Sequence, residues 1–406
     1  MSTKRASKRW LKVVSKNGIY AILDNNEPVP YIWGMNGINR CWWQQWRGPL
    51  KTWNESAFER YYAGSPKAWA ERQGSLVLQA GINGLSMWTD PLFGTYMSQN
   101  RPDVYWFPTL IHGDSGEWSL ESLIKNPTVE EGMAQVERRV KWLKDSIVNN
   151  GGDPDKVVAG VCAFNEPAWV LLGYGKPEKA ALDANGAIEL LEKLLPMAND
   201  YLREQFPRAL ILSARIAGST RHDLPDVGWT GRGDDEWSHG WELVRIAAKG
   251  ADILQMNAYG ARTSHKLDKC HEVSGLPIFV SEFHWGTLHP SVNLYRWMEY
   301  KARRLKLAYP LAPGAHNTED SVDAVESDLF FDVWKPYMLG SFYYHWAPHA
   351  WGDGKNEPRM GYPWGPVDVT KPDNELEFVD IGWIEGAASA AAEARLERRE
   401  LWQASK

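Results

Sequence analysis

Eight short apolar runs alternate with helical patterns along 406 residues, and no internal repeat, low-complexity linker or Pro/Gly-rich hinge divides them. Alternation of this kind builds a parallel sheet covered by helices, and eight rounds predict an α/β fold, a (β/α)8 TIM barrel with long βα loops. About 250 residues make the basic barrel and insertions carry it beyond 400, so the length fits one decorated domain. The expected organisation is an N-terminal arm and hairpin over 1–30, a single catalytic barrel over 31–384 and a C-terminal helical tail over 385–406.

The elements follow in order. Residues 10–30 read as a hairpin, with its turn at Asp24–Asn25–Asn26, residues that tolerate tight backbone reversal. The strands are predicted at Tyr31–Asn36, Gly84–Trp88, Trp106–Ile111, Val157–Phe164, Ala209–Ile216, Ile253–Tyr259, Pro277–Glu282 and Met338–His345. Each is a short run bounded by turn or polar residues, as expected of strands buried on both faces. Between them, Thr128–Asn149 is the clearest helix, because Thr128 and Glu131 have capping-box spacing ahead of an amphipathic stretch. Further helices are expected over roughly Glu178–Gln205, Ser291–Ala308 and Ala324–Tyr337, and the Ala- and Glu/Arg-rich tail reads as a solvated or edge-packed helix. The segments after the first, second and fifth strands are long and rich in aromatic residues or glycine. Active sites of this fold gather in such loops, at the C-terminal ends of the strands.

Composition narrows the partners. With 45 basic and 51 acidic side chains the net charge is −6, which argues against nucleic acid, whose binding needs clustered cations. No run approaches 18 apolar residues, so no membrane span is expected. The basic N-terminus has no apolar signal core as written; a cytoplasmic protein is expected, or a secreted one whose signal is absent from this sequence. Three cysteines without CxxC spacing predict neither a disulfide framework nor a zinc knuckle. No H-x-H or HEXXH occurs, no G-x-G-x-x-G follows a strand and no GxxxxGK[ST] appears, so neither metal nor organic cofactor is expected. The 23 tryptophans stand out. Flat rings with N–H groups suit the faces and hydroxyls of sugars, although a Trp-rich core would use the same residues.

Two carboxylates fall at strand ends. CAFNEPAW closes the fourth strand with Asn165 and Glu166, and FVSEFHWG closes the seventh with Glu282, His284 and Trp285. In a barrel the fourth and seventh strands face each other across the mouth, so both acids can flank one bound group. Glycosidic cleavage needs such a pair, one protonated to donate to the leaving oxygen and one ionised to attack or to activate water.

The pairing of N-E on the fourth strand with a terminal glutamate on the seventh resembles the retaining glycoside hydrolases of clan A. Within that clan, SEFHWG and the closing stretch GSFYYHWAPHAWGDGKNEPRMGYPWGPVDV resemble family 50, the β-agarases. The clan resemblance spans roughly residues 18–384, and the family resemblance rests on 277–290 and 338–369. Pro167 after the fourth-strand acid departs from family 50 and matches other clan A families. The resemblance implies a retaining O-glycoside hydrolase acting on β-linkages of a galactan such as agarose or its oligosaccharides, with an oligo- or polysaccharide as partner. Glu166 would be the acid/base and Glu282 the nucleophile. Asn165 would bond the sugar 2-hydroxyl, Tyr259 the nucleophile, and Trp346 would floor the subsite of the cleaved sugar. His112 and His284 are candidate polar contacts, and Trp42, Trp43 and Trp46 on the first loop, with Trp88 after the second strand, are candidate sugar platforms. Another clan A specificity (β-mannanase, β-glucanase or β-galactosidase) and a non-catalytic carbohydrate-binding barrel remain open alternatives.

Overall fold

The computed structural model describes residues 10–45, 54–112, 119–173, 177–218, 238–258, 263–283, 335–343, 346, 349–351, 359–361, 367–368, 378–379 and 381–405. The expected helices at Ser291–Ala308 and across most of Ala324–Tyr337 lie outside them, as do Trp46, Tyr259, His284 and Trp285.

The chain opens with an antiparallel meander, β1 (Leu11–Lys16), β2 (Ile19–Asp24) and β3 (Glu27–Pro28). Its two turns each place consecutive residues at positive φ, Asn17–Gly18 and Asn25–Asn26, which is the twist that two-residue hairpin turns require. The first of these turns is additional to the one legible at Asp24–Asn26.

The strands that follow are β4 (Ile32–Met35), β5 (Gly84–Leu85), β6 (Tyr105–Trp106), β7 (Thr109–Ile111), β8 (Gly160–Phe164), β9 (Leu210–Leu212), β10 (Ile216–Gly218), β11 (Leu254–Ala258), β12 (Ile278–Phe283) and β13 (Met338–Tyr343). All their pairings are parallel. One seven-stranded sheet has the order β10-β11-β12-β13-β4-β5-β6 and a three-stranded sheet the order β7-β8-β9. Isolated parallel bridges, Trp106↔Val158, Asn165↔Arg215 and Leu212↔Ile253, run between strands of the two sheets. The architecture is thus mixed α/β on parallel strands. Short antiparallel pairs β14 (His349–Trp351) with β15 (Arg359–Gly361), and β16 (Val367–Asp368) with β17 (Phe378–Val379), follow.

Several strands differ from the sequence reading. The third is split at Phe107–Pro108, where proline has no N–H to give to a ladder. The fourth begins at Gly160 because Pro154–Val157 forms a helical turn capped by Asp153. The fifth is split at Ser213–Arg215.

Apolar side chains pack on both faces of the sheets. Along β8, Val161, Ala163 and Phe164 join the larger core and Cys162 a smaller second one. At the centre of the second core Phe107, Phe279 and Phe342 meet edge to face, with ring centroids 5.3–5.7 Å apart. The larger core receives two long helices. Val129–Asn149 starts on Thr128, whose hydroxyl accepts from the Glu131 N–H at 3.2 Å, while the Glu131 carboxylate turns away to Arg138 instead of closing the box. Ala184–Gln205 starts on Asp183 and buries Leu191, Leu194, Leu195 and Leu202. The C-terminal helix, Ile381–Ala404, begins before residue 385 and buries Ile384, Ala387, Ala391 and Ala394 against the larger core.

Candidate active site

The two glutamates reach the C-terminal ends of their strands by different backbone devices. Glu166 follows β8 in the left-handed region, φ 49°, immediately before the helix Pro167–Leu171. A branched or long side chain rarely adopts that conformation without a reason from its surroundings. Although Glu166 stands at the helix N-cap, its carboxylate makes no cap bond. It accepts a 2.8 Å hydrogen bond from Asn257 Nδ2 instead.

Glu282 is placed by a shift of register. Val280 pairs with Met256, but the next pair is Glu282 with Asn257, so Ser281 and Glu282 together stand opposite one residue. An extra residue of this kind re-aims the side chain that follows it, a device common beside active sites. Asn257 on β11 thereby lies across from the Glu282 backbone while its side chain holds Glu166. That amide is itself oriented: Nδ2 also donates to Asn165 Oδ1 at 3.1 Å, and Oδ1 accepts from the Ser281 hydroxyl at 2.7 Å.

A buried cation completes the pair. Arg215, with none of its surface exposed, donates from Nη1 to Glu282 Oε1 at 3.1 Å and from Nη2 to the Ser86 hydroxyl at 2.5 Å. Asn36, at the end of β4, accepts more weakly from the same guanidinium and donates to the Ser281 carbonyl at 2.9 Å. Groups from the ends of six strands, β4, β5, β8, β9, β11 and β12, therefore meet around the two carboxylates.

The two acids have different surroundings. Burial, and then the negative charge of Glu282, push the Glu166 pKa up from 4.5 to about 7, against the lowering effects of the Asn257 bond and the Arg215 charge. At neutral pH Glu166 is therefore poised to hold or release a proton. Glu282 keeps its own cation at hydrogen-bond distance.

Trp88, His112 and Trp42 form an aromatic cluster. Trp88 is also left-handed at φ 58°, its ring meets His112 edge-on at 5.1 Å, and Trp42 lies 6.2 Å from Trp88. The Trp88 indole N–H donates to His112 Nδ1, which assigns the histidine proton to Nε2. Burial, with the charges of Arg215 and Arg139, lowers the His112 pKa to about 3, so the ring is a neutral donor at working pH. Arg40 and the buried Asp90, paired at 3.3 Å, tie the first and second loops together.

Trp43 and Trp346 are corrections. Trp43 is 1% exposed and packs edge-on against Tyr62, and Trp346 is wholly buried with its indole N–H donating to Gln73 at 2.6 Å. Both belong to the larger core, so neither offers the open face a sugar platform needs. The sequence reading missed Arg215, Asn257, Asn36, Ser86 and Ser281. A charged residue inside the apolar run ALILSARIAG was the available signal for Arg215.

Comparison with solved structures places this fold beside carbohydrate-active proteins. An exo-β-agarase superposes with a TM-score of 0.60 at 14% identity, over 97% of this chain and 66% of that one. An agarase gives 0.57 at 15%, over 98% and 65%, and a GH2 β-galacturonidase from Eisenbergiella tayi 0.52 at 12%, over 95% and 54%. The chain thus spans about two thirds of the length of the two agarases, and at these identities the likeness is one of fold. No protein-family model matches the sequence, and no curated protein matches it.

Proposed function

We propose that the protein is a retaining glycoside hydrolase, that its parallel strands are the staves of one closed (β/α)8 barrel, and that its substrate is a β-linked galactan of the agarose type or an oligosaccharide from it. The observation that carries this reading is a buried acid, Glu166, raised to about 7 in part by the charge of a second carboxylate, Glu282, that is ion-paired with Arg215. Titratable groups whose surroundings push them apart divide the work of acid and nucleophile. The barrel is supported by the order of parallel pairings together with the three bridges between the sheets. The substrate class is supported by the fold shared with two agarases and by the family 50 resemblance of the SEFHWG segment.

The reaction runs as a double displacement. Glu166, protonated, donates to the glycosidic oxygen as the Glu282 carboxylate attacks the anomeric carbon, giving a glycosyl ester on Glu282. With the Glu282 charge consumed, the force holding the Glu166 proton weakens and its carboxylate takes a proton from water. That water attacks the ester and restores Glu282. Asn257 holds Glu166 in place, Asn165 beside it bonds the 2-hydroxyl, and neutral His112, Trp88 and Trp42 form one wall for the sugar. Tyr259 and His284 are proposed to contact the nucleophile and substrate.

Purified protein should release sugars from agarose or neoagaro-oligosaccharides and spare mannan and β-glucan, with porphyran as a galactan control. Proton NMR of the first turnovers should show the β-anomer before mutarotation. Glu282→Ala should abolish release while retaining oligosaccharide binding. An inverted first product would refute the double displacement, and sugar binding without turnover by the native chain would leave a carbohydrate-binding barrel.

A further inference from the structure

At the opposite end of the strands from Glu166 and Glu282, a cavity of about 310 Å³ lies between the N-terminal meander, the start of β13 and the C-terminal helix. Its size is at the lower edge of small-molecule sites. Arg395, Arg398, Arg399 and Trp402 line it from one face of the helix, at the i, i+3, i+4 and i+7 positions that share a face. Ile22 and Val29 supply apolar wall from the meander. Among the described residues, three arginines line the cavity and no aspartate or glutamate does.

Among the described residues no carboxylate answers the charge of Arg398. It is 8% exposed and donates to the carbonyls of Lys335 at 2.8 Å and Tyr20 at 2.6 Å. Carbonyls satisfy its N–H groups but neutralise nothing. Burial lowers its pKa to about 10, and the charge interaction opposing that fall comes from Tyr31 rather than from a carboxylate. Arg395 feels Asp103 and donates to the Gly81 carbonyl, yet its Nε is buried with no hydrogen-bond partner. A desolvated, uncompensated cation is costly, and an anion entering beside it recovers that cost. Trp402 adds a flat ring, with Lys16 Nζ 4.9 Å from its centroid.

We propose that this cavity binds a small organic anion, with a carboxylate or phosphate held by Arg395, Arg398 and Arg399 and a flat apolar body against Trp402, Ile22 and Val29. The site is separate from the carboxylate pair and does not depend on the activity assigned to it. Calorimetric titration of the full chain with phenyl phosphate, benzoate, inorganic phosphate and phenol tests it. Phenyl phosphate or benzoate should bind, the tighter of the two naming the anion class, with inorganic phosphate weaker and phenol silent. Arg398 fastens the helix to the meander, so the variants are Arg399→Gln and Trp402→Ala, nearer the solvent. Arg399→Gln should weaken the tighter anion about tenfold or more, the effect of losing one charged hydrogen bond. Trp402→Ala should weaken it while leaving inorganic phosphate unchanged. Binding of phenol as tight as phenyl phosphate, absence of heat from both organic anions at millimolar concentration, or titrations unchanged in both variants would overturn the proposal.

Discussion

The pKa of Glu166 balances burial against three neighbours, Glu282, Asn257 and Arg215, and each neighbour can be removed singly. Because its pKa is about 7 and the proposed mechanism starts from its protonated form, kcat/KM should fall as pH rises through about 7. Asn257→Ala deletes a bond that favours the ionised form, so the alkaline limb should move upward by about one unit, the worth of one hydrogen bond to a charge. A limb that stays put in Asn257→Ala would show that another group titrates there. Arg215→Met leaves Glu282 buried without its cation. Stability should fall by about 3–5 kcal/mol, and the alkaline limb should move to higher pH, because the Arg215 charge lowers the Glu166 pKa. Denaturant unfolding and a pH–rate profile read the two effects separately. Both glutamates stood out in the sequence as candidates because they end the fourth and seventh apolar runs, and the structure brings the two side chains into electrostatic contact. Asn257 and Arg215 did not, since their meaning lies in partners 91 and 67 residues away. Nor does a tryptophan disclose its exposure: Trp42 and Trp43 are neighbours, and only Trp43 is sealed in the core.

At the scale of elements, apolar runs announced where strands exist but not how they end. Strand ends depend on the partner strand, so the break at Ser213–Arg215 and the register shift before Glu282 have no local signature. Those same irregularities turn Arg215 and Glu282 toward each other. Deeper in the sheet the constraint is steric. Gly34 on β4 pairs with Phe342 on β13, and a Cβ at Gly34 would stand 2.1 Å from that ring. The ring cannot swing aside freely, because Phe107 and Phe279 hold its edges. Gly34→Ala should therefore destabilise the protein by about 1–3 kcal/mol or more through overpacking, and Phe342→Leu should recover part of the loss when combined with it. Additive losses in the double variant, measured by thermal unfolding, would place the strain elsewhere.

Across the whole molecule, the parallel strands give the two ends of the sheet opposite characters. The C-terminal ends hold an acid kept from ionising, and the N-terminal ends hold arginines without lining carboxylates. Both are charges the folded state tolerates rather than profits from, and for Glu166 the consequence is measurable. In the unfolded chain its pKa returns to about 4.5, so the folded state binds the proton more tightly. The stability this confers is complete below pH 4.5 and is lost as pH rises through about 7, a change on the order of 3 kcal/mol for a shift of this size. Glu166→Gln carries the neutral form at every pH. It should match the wild type in melting temperature near pH 4.5 and exceed it by a few degrees at pH 8–9, while losing about 10²–10⁴-fold in turnover of substrates with poor leaving groups. A melting-temperature gap that does not widen with pH would mean that the folded protein pays no penalty for ionising this acid, and the assignment of Glu166 as the proton donor would lose its electrostatic basis.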